Sequence, residues 1–183
     1  MGRPRSFDGA AVARDVRDAF WRRGYTANSI RDLASAAGIK TGSLHASFGT
    51  KDRLFGLALD AYDPVFTSAF EVEDHGRDRL MRYVELLHDR VATGDGPRGC
   101  LIVAAASEID DHTDENRLAI LDRVERIRKF VAERLDEDPE DAPPHLADTI
   151  FGLVLALLTA ARYGAAPDVL RNIRDGARAL LYG

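Results

Sequence analysis

Between Asn28 and Arg53 the chain reads NSIRDLASAAGIKTGSLHASFGTKDR, and no other stretch limits the fold so tightly. Ile30, Leu33, Ala34 and Ala37 recur at helical spacing, so one face of a short helix is apolar. Asn28 stands where an N-cap is wanted, its side-chain oxygen placed to accept from an amide one turn on. Gly38 ends that helix, because a left-handed residue is least strained without a Cβ. Ile39 returns to the core, and Lys40-Thr41-Gly42-Ser43 opens a second short helix carrying Leu44 and Phe48 inward. Thr50 caps the next helix, with Lys51 and Asp52 in its first turn. Neither short helix is stable alone, so a third must cover them. Phe7 to Arg23 supplies it, with Val12, Val16, Ala19, Phe20 and Gly24 on one stripe and Tyr25 behind.

A helix, a glycine turn and a short polar-faced helix form the pattern of a helix-turn-helix, whose second helix enters a DNA major groove. Through Thr26, Ile30-Arg31-Asp32-Leu33-Ala34, Ala37-Gly38-Ile39, Gly42-Ser43-Leu44, Phe48 and Lys51, the stretch resembles the TetR family of one-component transcriptional regulators. That resemblance implies that Thr41, Ser43 and His45 meet the groove or its backbone. It implies that Lys51 pairs with a phosphate and that Arg31 reaches a base edge or phosphate. Lys40 and Gly42 complete the expected contact set, Gly42 removing a Cβ where DNA would crowd one. The family commonly carries an aromatic at the position of His45 and again near Ser47. The shorter residues here predict fewer direct base contacts and more readout of DNA shape. Arg3-Pro4-Arg5 forms a basic arm of the kind that reaches a minor groove or phosphates.

The net charge of −5 is unusual for a DNA binder until it is divided. Up to Gly56, ten basic residues face five acidic ones, leaving −10 on the rest. A basic module facing phosphates and an acidic body held away from them fit that split.

The rest of the chain reads as helices, for an all-α fold of about nine. Residues 1–50 form the helix-turn-helix domain and residues 51–183 a helical regulatory and dimerisation domain. A fourth helix runs from Lys51 through Tyr62, and Pro64 predicts a kink or split near Ala61. Leu80, Val84, Leu87 and Val91 stripe a fifth. Gly99 to Glu108 could pass for a buried strand, but its three alanines favour a helix; a Gly-Cys-Leu start also resembles the sixth helix in branches of the same family. Asp114 to Asp136 forms a long helix, with Ile120, Val124, Ile127, Val131 and Leu135 inward, before the polar loop DEDPEDAPP. From Leu146 to Ala161 apolar residues surround the axis, and Val169 to Leu181 carries another apolar stripe. A terminal helix apolar all round needs cover beyond its own fold. Ile150, Leu153, Val154, Leu157, Ile173, Ala177 and Leu180 are therefore the expected homodimer interface. The resemblance implies a twofold four-helix contact there and an inverted-repeat double-stranded operator.

Catalytic motifs are missing from the sequence: there is no Gly-rich phosphate loop, no G-x-S-x-G and no metal-spaced His/Cys cluster. No enzyme, metal or cofactor is expected. Cys100 is the only cysteine, which excludes an internal disulfide, and it reads as a small core residue. The N-terminus lacks a signal-peptide core, and the run Ile150–Ala161 is too short to cross a bilayer, so a cytoplasmic location with no membrane partner is expected. The resemblance further implies an apolar inducer cavity in the body, with Phe66, Phe70, Leu87, His88, Phe130 and Phe151 as candidate lining. Two readings stay open: a repressor released by a small apolar inducer, and a DNA-binding dimer without an effector.

Overall fold

A computed structural model describes residues 7–93, 98–138, 143 and 145–183, and among them lie nine α-helices and no strand. The Arg3-Pro4-Arg5 arm and most of the 136–144 loop lie outside the described residues. Three helices form the first layer: α1 Gly9–Arg23, α2 Ile30–Ala36 and α3 Thr41–Phe48. The α4 helix, Lys51–Thr67, packs along α1 and leads into the body of α5 Gly76–Thr93, α6 Leu101–Ala106, α7 Asp114–Asp136, α8 Leu146–Tyr163 and α9 Pro167–Tyr182.

Helices α1, α2 and α4 start on side-chain caps. Asp8 accepts from the Ala10 amide at 2.9 Å, and Thr50 accepts from the Arg53 amide at 3.4 Å. The α2 cap is Ser29 rather than Asn28. Ser29 Oγ accepts from the Asp32 amide at 3.2 Å while the Asp32 carboxylate accepts from the Ser29 amide at 2.9 Å, a capping box. Asn28 is instead 2 % exposed, its Nδ2 donating to the carbonyls of Gly24 at 2.6 Å and Ala19 at 3.2 Å. Two neighbouring cap-type residues made the sequence ambiguous, and burial decided it. Gly38, at φ +64°, turns α2 into α3, and the Ile39 amide reaches back to the Ala34 carbonyl at 3.0 Å.

Pro64 does not split α4. It sits in the last turn, where its missing N–H removes one bond, and the helix runs unbroken to Thr67. From there Phe66 meets Phe70 edge-on at 5.1 Å, and Phe70, Tyr83 and Phe130 form an aromatic cluster with centroids 4.9–5.7 Å apart. Arg123 of α7 grips Asp63 of α4 through two bonds of 2.8 and 2.7 Å, which fixes the long helix against the connector.

The last two helices differ from expectation. Helix α8 packs on α5, α6, α7 and α9, so Ile150, Val154 and Leu157 are 0–1 % exposed, and Ala177 of α9 is 0 %. These four are spent inside the protomer and cannot form the interface assigned to them. Leu153 and Ile173 are half-buried, and Leu180 keeps 45 % exposure. The open face of α8 is Gly152, Ala156, Thr159 and Tyr163, so the helix is not apolar and covered all round. With 18 residues it is long and apolar enough to cross a membrane, longer than the run read from the sequence, but its apolar stripe lies in the core.

The two residues at the α1–α2 corner should separate in an unfolding measurement. Asn28→Ala leaves two buried carbonyls without their donor and should cost about 1–3 kcal/mol in urea denaturation. Ser29→Ala should cost about 1 kcal/mol. A Ser29→Ala variant as stable as wild type would contradict the cap, and an Asn28→Ala cost below that of Ser29→Ala would contradict the buried role of Asn28.

Candidate nucleic-acid interface

Helix α3 is held from below by Leu44, which is fully buried, and by Phe48, whose ring lies 6.0 Å from Phe7. Its upper face is open: Lys40, Thr41, Gly42 and His45 are exposed and Ser43 is half-buried. No side chain caps its start; the Ser43 amide bonds the Lys40 carbonyl at 2.9 Å, and the amides of Thr41 and Gly42 have no side-chain cap. A Cβ at Gly42 would meet nothing within 4 Å, so no internal packing demands the glycine. His45 spends Nδ1 on the Gly49 carbonyl at 2.9 Å. A carbonyl only accepts, so Nδ1 carries the hydrogen and Nε2 of the neutral ring is an acceptor. Arg31 is exposed on α2. Lys51 is half-buried with its ammonium 4.1 Å above the Tyr25 ring, which sets its stem in one direction. The expected set Arg31, Lys40, Thr41, Gly42, Ser43, His45 and Lys51 thus lies on the helix-turn-helix and the start of α4.

The module is joined to the body by a contact that sequence reasoning missed. Beyond α6, Glu108 accepts from the Tyr25 amide at 2.7 Å and the Thr26 amide at 3.0 Å. Gly24, at φ +85°, makes room: a Cβ there would stand 2.7 Å from a Glu108 carboxylate oxygen. Thr26 donates its hydroxyl to Asp111 at 3.1 Å, and the Tyr25 hydroxyl donates to Asp52 at 2.6 Å. His112 is buried beneath, its ring 4.2 Å from Tyr25 and 4.4 Å from Phe55. Burial lowers the His112 pKa, against nearby carboxylates that raise it, so the neutral ring is favoured. Burial pushes the Glu108 carboxyl up, but the two amide donors outweigh it and hold the group below its ordinary value. More than eighty positions separate Glu108 from Tyr25, so no local pattern could have linked them.

Two cavities lie beyond this joint. One, of about 180 Å³, is lined by Arg23, Gly24, Ser107, Glu108 and Arg162 among others. The second, of about 230 Å³, is mostly apolar and runs between α1, α4, α5, α7 and α8. Phe66 and Leu87 line it, as the sequence suggested. Phe70 and Phe130 are packed into the aromatic cluster instead, and Phe151 is half-buried on α8 away from the cavity wall. His88 is bonded through Nδ1 to Asp89 at 3.1 Å and does not line it either. These four are corrections to the expected lining. Cys100 sits in the wall, its thiol pushed up by burial and accepting from the Tyr62 hydroxyl at 3.4 Å.

The family model for the N-terminal domain of bacterial regulatory proteins of the tetR family matches residues 17–58. That for the tetracyclin repressor-like C-terminal domain matches residues 76–177, more than half of the chain. The chain belongs to the TetR family. Among curated relatives it is 28 % identical to the HTH-type transcriptional repressor ComR of Escherichia coli, over 94 % of this chain and 88 % of that one. It is 30 % identical to the repressor BdcR of the same organism over 56 % and 54 %. Among solved structures it resembles a cysteine mutant of the TetR-family regulator CifR in complex with a 26-base-pair operator, with TM-score 0.81, 26 % identity and 97 % and 99 % of the two chains covered. A TetR-type fold also covers 93 % of the chain in a regulatory protein of Rhodobacter sphaeroides, at TM-score 0.79 and 19 % identity. The protein is a DNA-binding transcriptional regulator of this family.

The Glu108 contact carries a pH signature. A carboxyl held below its ordinary 4.5 stabilises the fold fully above that value, and the contribution is lost as pH falls through the lowered one. Glu108→Gln should therefore cost on the order of 1 kcal/mol at pH 7. The gap from wild type should narrow below about pH 4. Thermal melts across that range check both; a gap independent of pH would contradict the contact.

Proposed function

We infer that this regulator is a homodimeric repressor that occupies an inverted-repeat operator and leaves it when a small, mostly apolar molecule enters the body. The observation that carries the reading is the open face of α3, with uncapped amides and exposed Lys40, Thr41, Gly42 and His45, on a module tied to a cavity-bearing body. Amides at a helix start favour phosphate, and Thr41, Ser43, Lys51 and Arg31 flank them with hydroxyl and cationic groups. CifR, similar over nearly its whole length, is bound to operator DNA.

The dimer is proposed on the open stripe of α8 and α9. Gly152 and Gly176 each sit inside a helix where a Cβ would meet nothing within 4 Å. Glycine there costs about 1 kcal/mol against alanine and returns nothing within the protomer. With Ala156, Thr159, Ile173 and Leu180 alongside, the two helices present a shallow face on which a second copy can approach closely. Twofold pairing would bring the two α3 helices to successive major grooves, about 34–36 Å apart.

Selection from a random duplex pool should return an inverted repeat with half-sites about one helical turn apart. Lys51→Ala should weaken binding to every selected site and reduce the salt slope by about 1. Enrichment of unrelated single sites, or an unchanged slope, would contradict the reading. In sedimentation, Ala156→Arg should convert the dimer to folded monomer.

A further inference from the structure

The apolar cavity is not walled by the regulatory body alone. Trp21 of α1, in the DNA-binding module, lines it beside Tyr62 and Phe66 of α4, Leu87 of α5, Ile127 of α7 and Leu158 of α8. Its volume of about 230 Å³ exceeds the roughly 150 Å³ of a dry apolar cavity that takes up benzene, so a substituted single ring fits.

Two of the polar side chains at the wall, Tyr62 and Arg90, are already engaged. The Tyr62 hydroxyl is spent on Cys100. Arg90 lies exposed at the rim, its guanidinium donating to the Val65 carbonyl and the Ser68 hydroxyl, each at 3.2 Å. The indole Nε1–H of Trp21 is buried with no partner. An unmade buried donor is costly, and an occupant that supplies an acceptor recovers that cost. Among the described residues no carboxylate lines the cavity, and the one cation there is committed elsewhere, so a charged occupant would lose hydration without gaining a counter-charge from them.

We propose that this cavity takes a small, uncharged, largely apolar molecule with one hydrogen-bond acceptor, a ketone or ether on a single ring, and that Trp21 donates its indole N–H to that acceptor. The proposal rests on the reading of a ligand-released repressor and adds to it the class of ligand and a second route to the DNA. The indole stands edge-on to Tyr62, with centroids 4.8 Å apart, so an occupant bears on α4 and α1 together. The backbone carbonyl of Trp21 is also gripped by Arg162 of α8. Helix α1 is the support on which α2 and α3 rest, through Asn28 and the core around Phe20. Ligand binding is then felt by the reading module at its base and not only through the connector helix.

Trp21 is the sole tryptophan, so the indole N–H gives one resonance in a nitrogen-15 spectrum of the full dimer. Acetophenone is the probe, and cumene, of the same shape without an acceptor, is its control. The indole proton should move downfield with acetophenone and not with cumene. By calorimetry, the ratio of acetophenone to cumene affinity should fall about fivefold to tenfold in Trp21→Phe. Ala69→Leu, which fills the cavity from the turn after α4, should abolish the acetophenone shift while leaving the indole resonance in place; this variant carries the test if Trp21→Phe does not fold. An indole proton unmoved by acetophenone, a shift that persists in Ala69→Leu, or an affinity ratio unchanged in a folded Trp21→Phe overturns the proposal. Operator binding measured in parallel separates the two readings. A moved indole with an operator still bound supports the site and sinks ligand release. Release with an unmoved indole sinks the site and leaves release standing.

Discussion

The carboxylate of Glu108, seated on the amides of Tyr25 and Thr26, joins the two halves of this regulator. It depends on Gly24, because any side chain there would meet that carboxylate. Around it the Tyr25 ring packs at a tilt against His112, its hydroxyl reaches Asp52 at the start of α4, and the Lys51 ammonium lies over its face. The α1–α2 corner, the head of α4 and the segment after α6 are therefore bonded to one another. A body that changed shape around its cavity would displace α6, and with it the turn that sets α2 and α3. Helix α4 supplies a parallel connection, fixed to α7 through Asp63 and Arg123.

Much of the fold was legible because it is local. The α2–α3 turn follows from Gly38, the α1 stripe from its periodicity, and α7 begins and ends where its apolar repeat does. What sequence could not show depends on pairs distant along the chain. Asn28 and Ser29 are both good caps, and only the nearby carbonyls of Ala19 and Gly24 decide that Asn28 turns inward. Pro64 reads as a breaker, yet its effect depends on how many turns follow, and here less than one does. The apolar surplus of α8 resembled an interface because its partners, α5, α6 and α7, lie elsewhere in sequence. Ile150, Val154 and Leu157 belong to the core, and apart from Tyr163 the stripe left open is carried by small residues that no hydrophobic pattern would select.

The site divides in the same way. The upper face of α3 was readable from residue type and spacing, because a short helix leaves few positions to choose among. The cavity was not. Of its candidate lining, Phe66 and Leu87 were found, while Trp21, Tyr62 and Cys100 come from helices that meet only in three dimensions. Tryptophan on the apolar stripe of a first helix reads as core, and nothing in its neighbourhood says that its N–H is left without a partner.

The central claim is that two copies present α3 to one inverted repeat, and a single distance tests it. In a Cys100→Ala background, a spin label at Ala46→Cys on the exposed face of α3 reports the separation of the two recognition helices on the selected duplex. Dipolar spectroscopy should give one distribution centred near 34–36 Å, about one turn of DNA. No distance between protomers, or one far from a helical turn, would contradict the account.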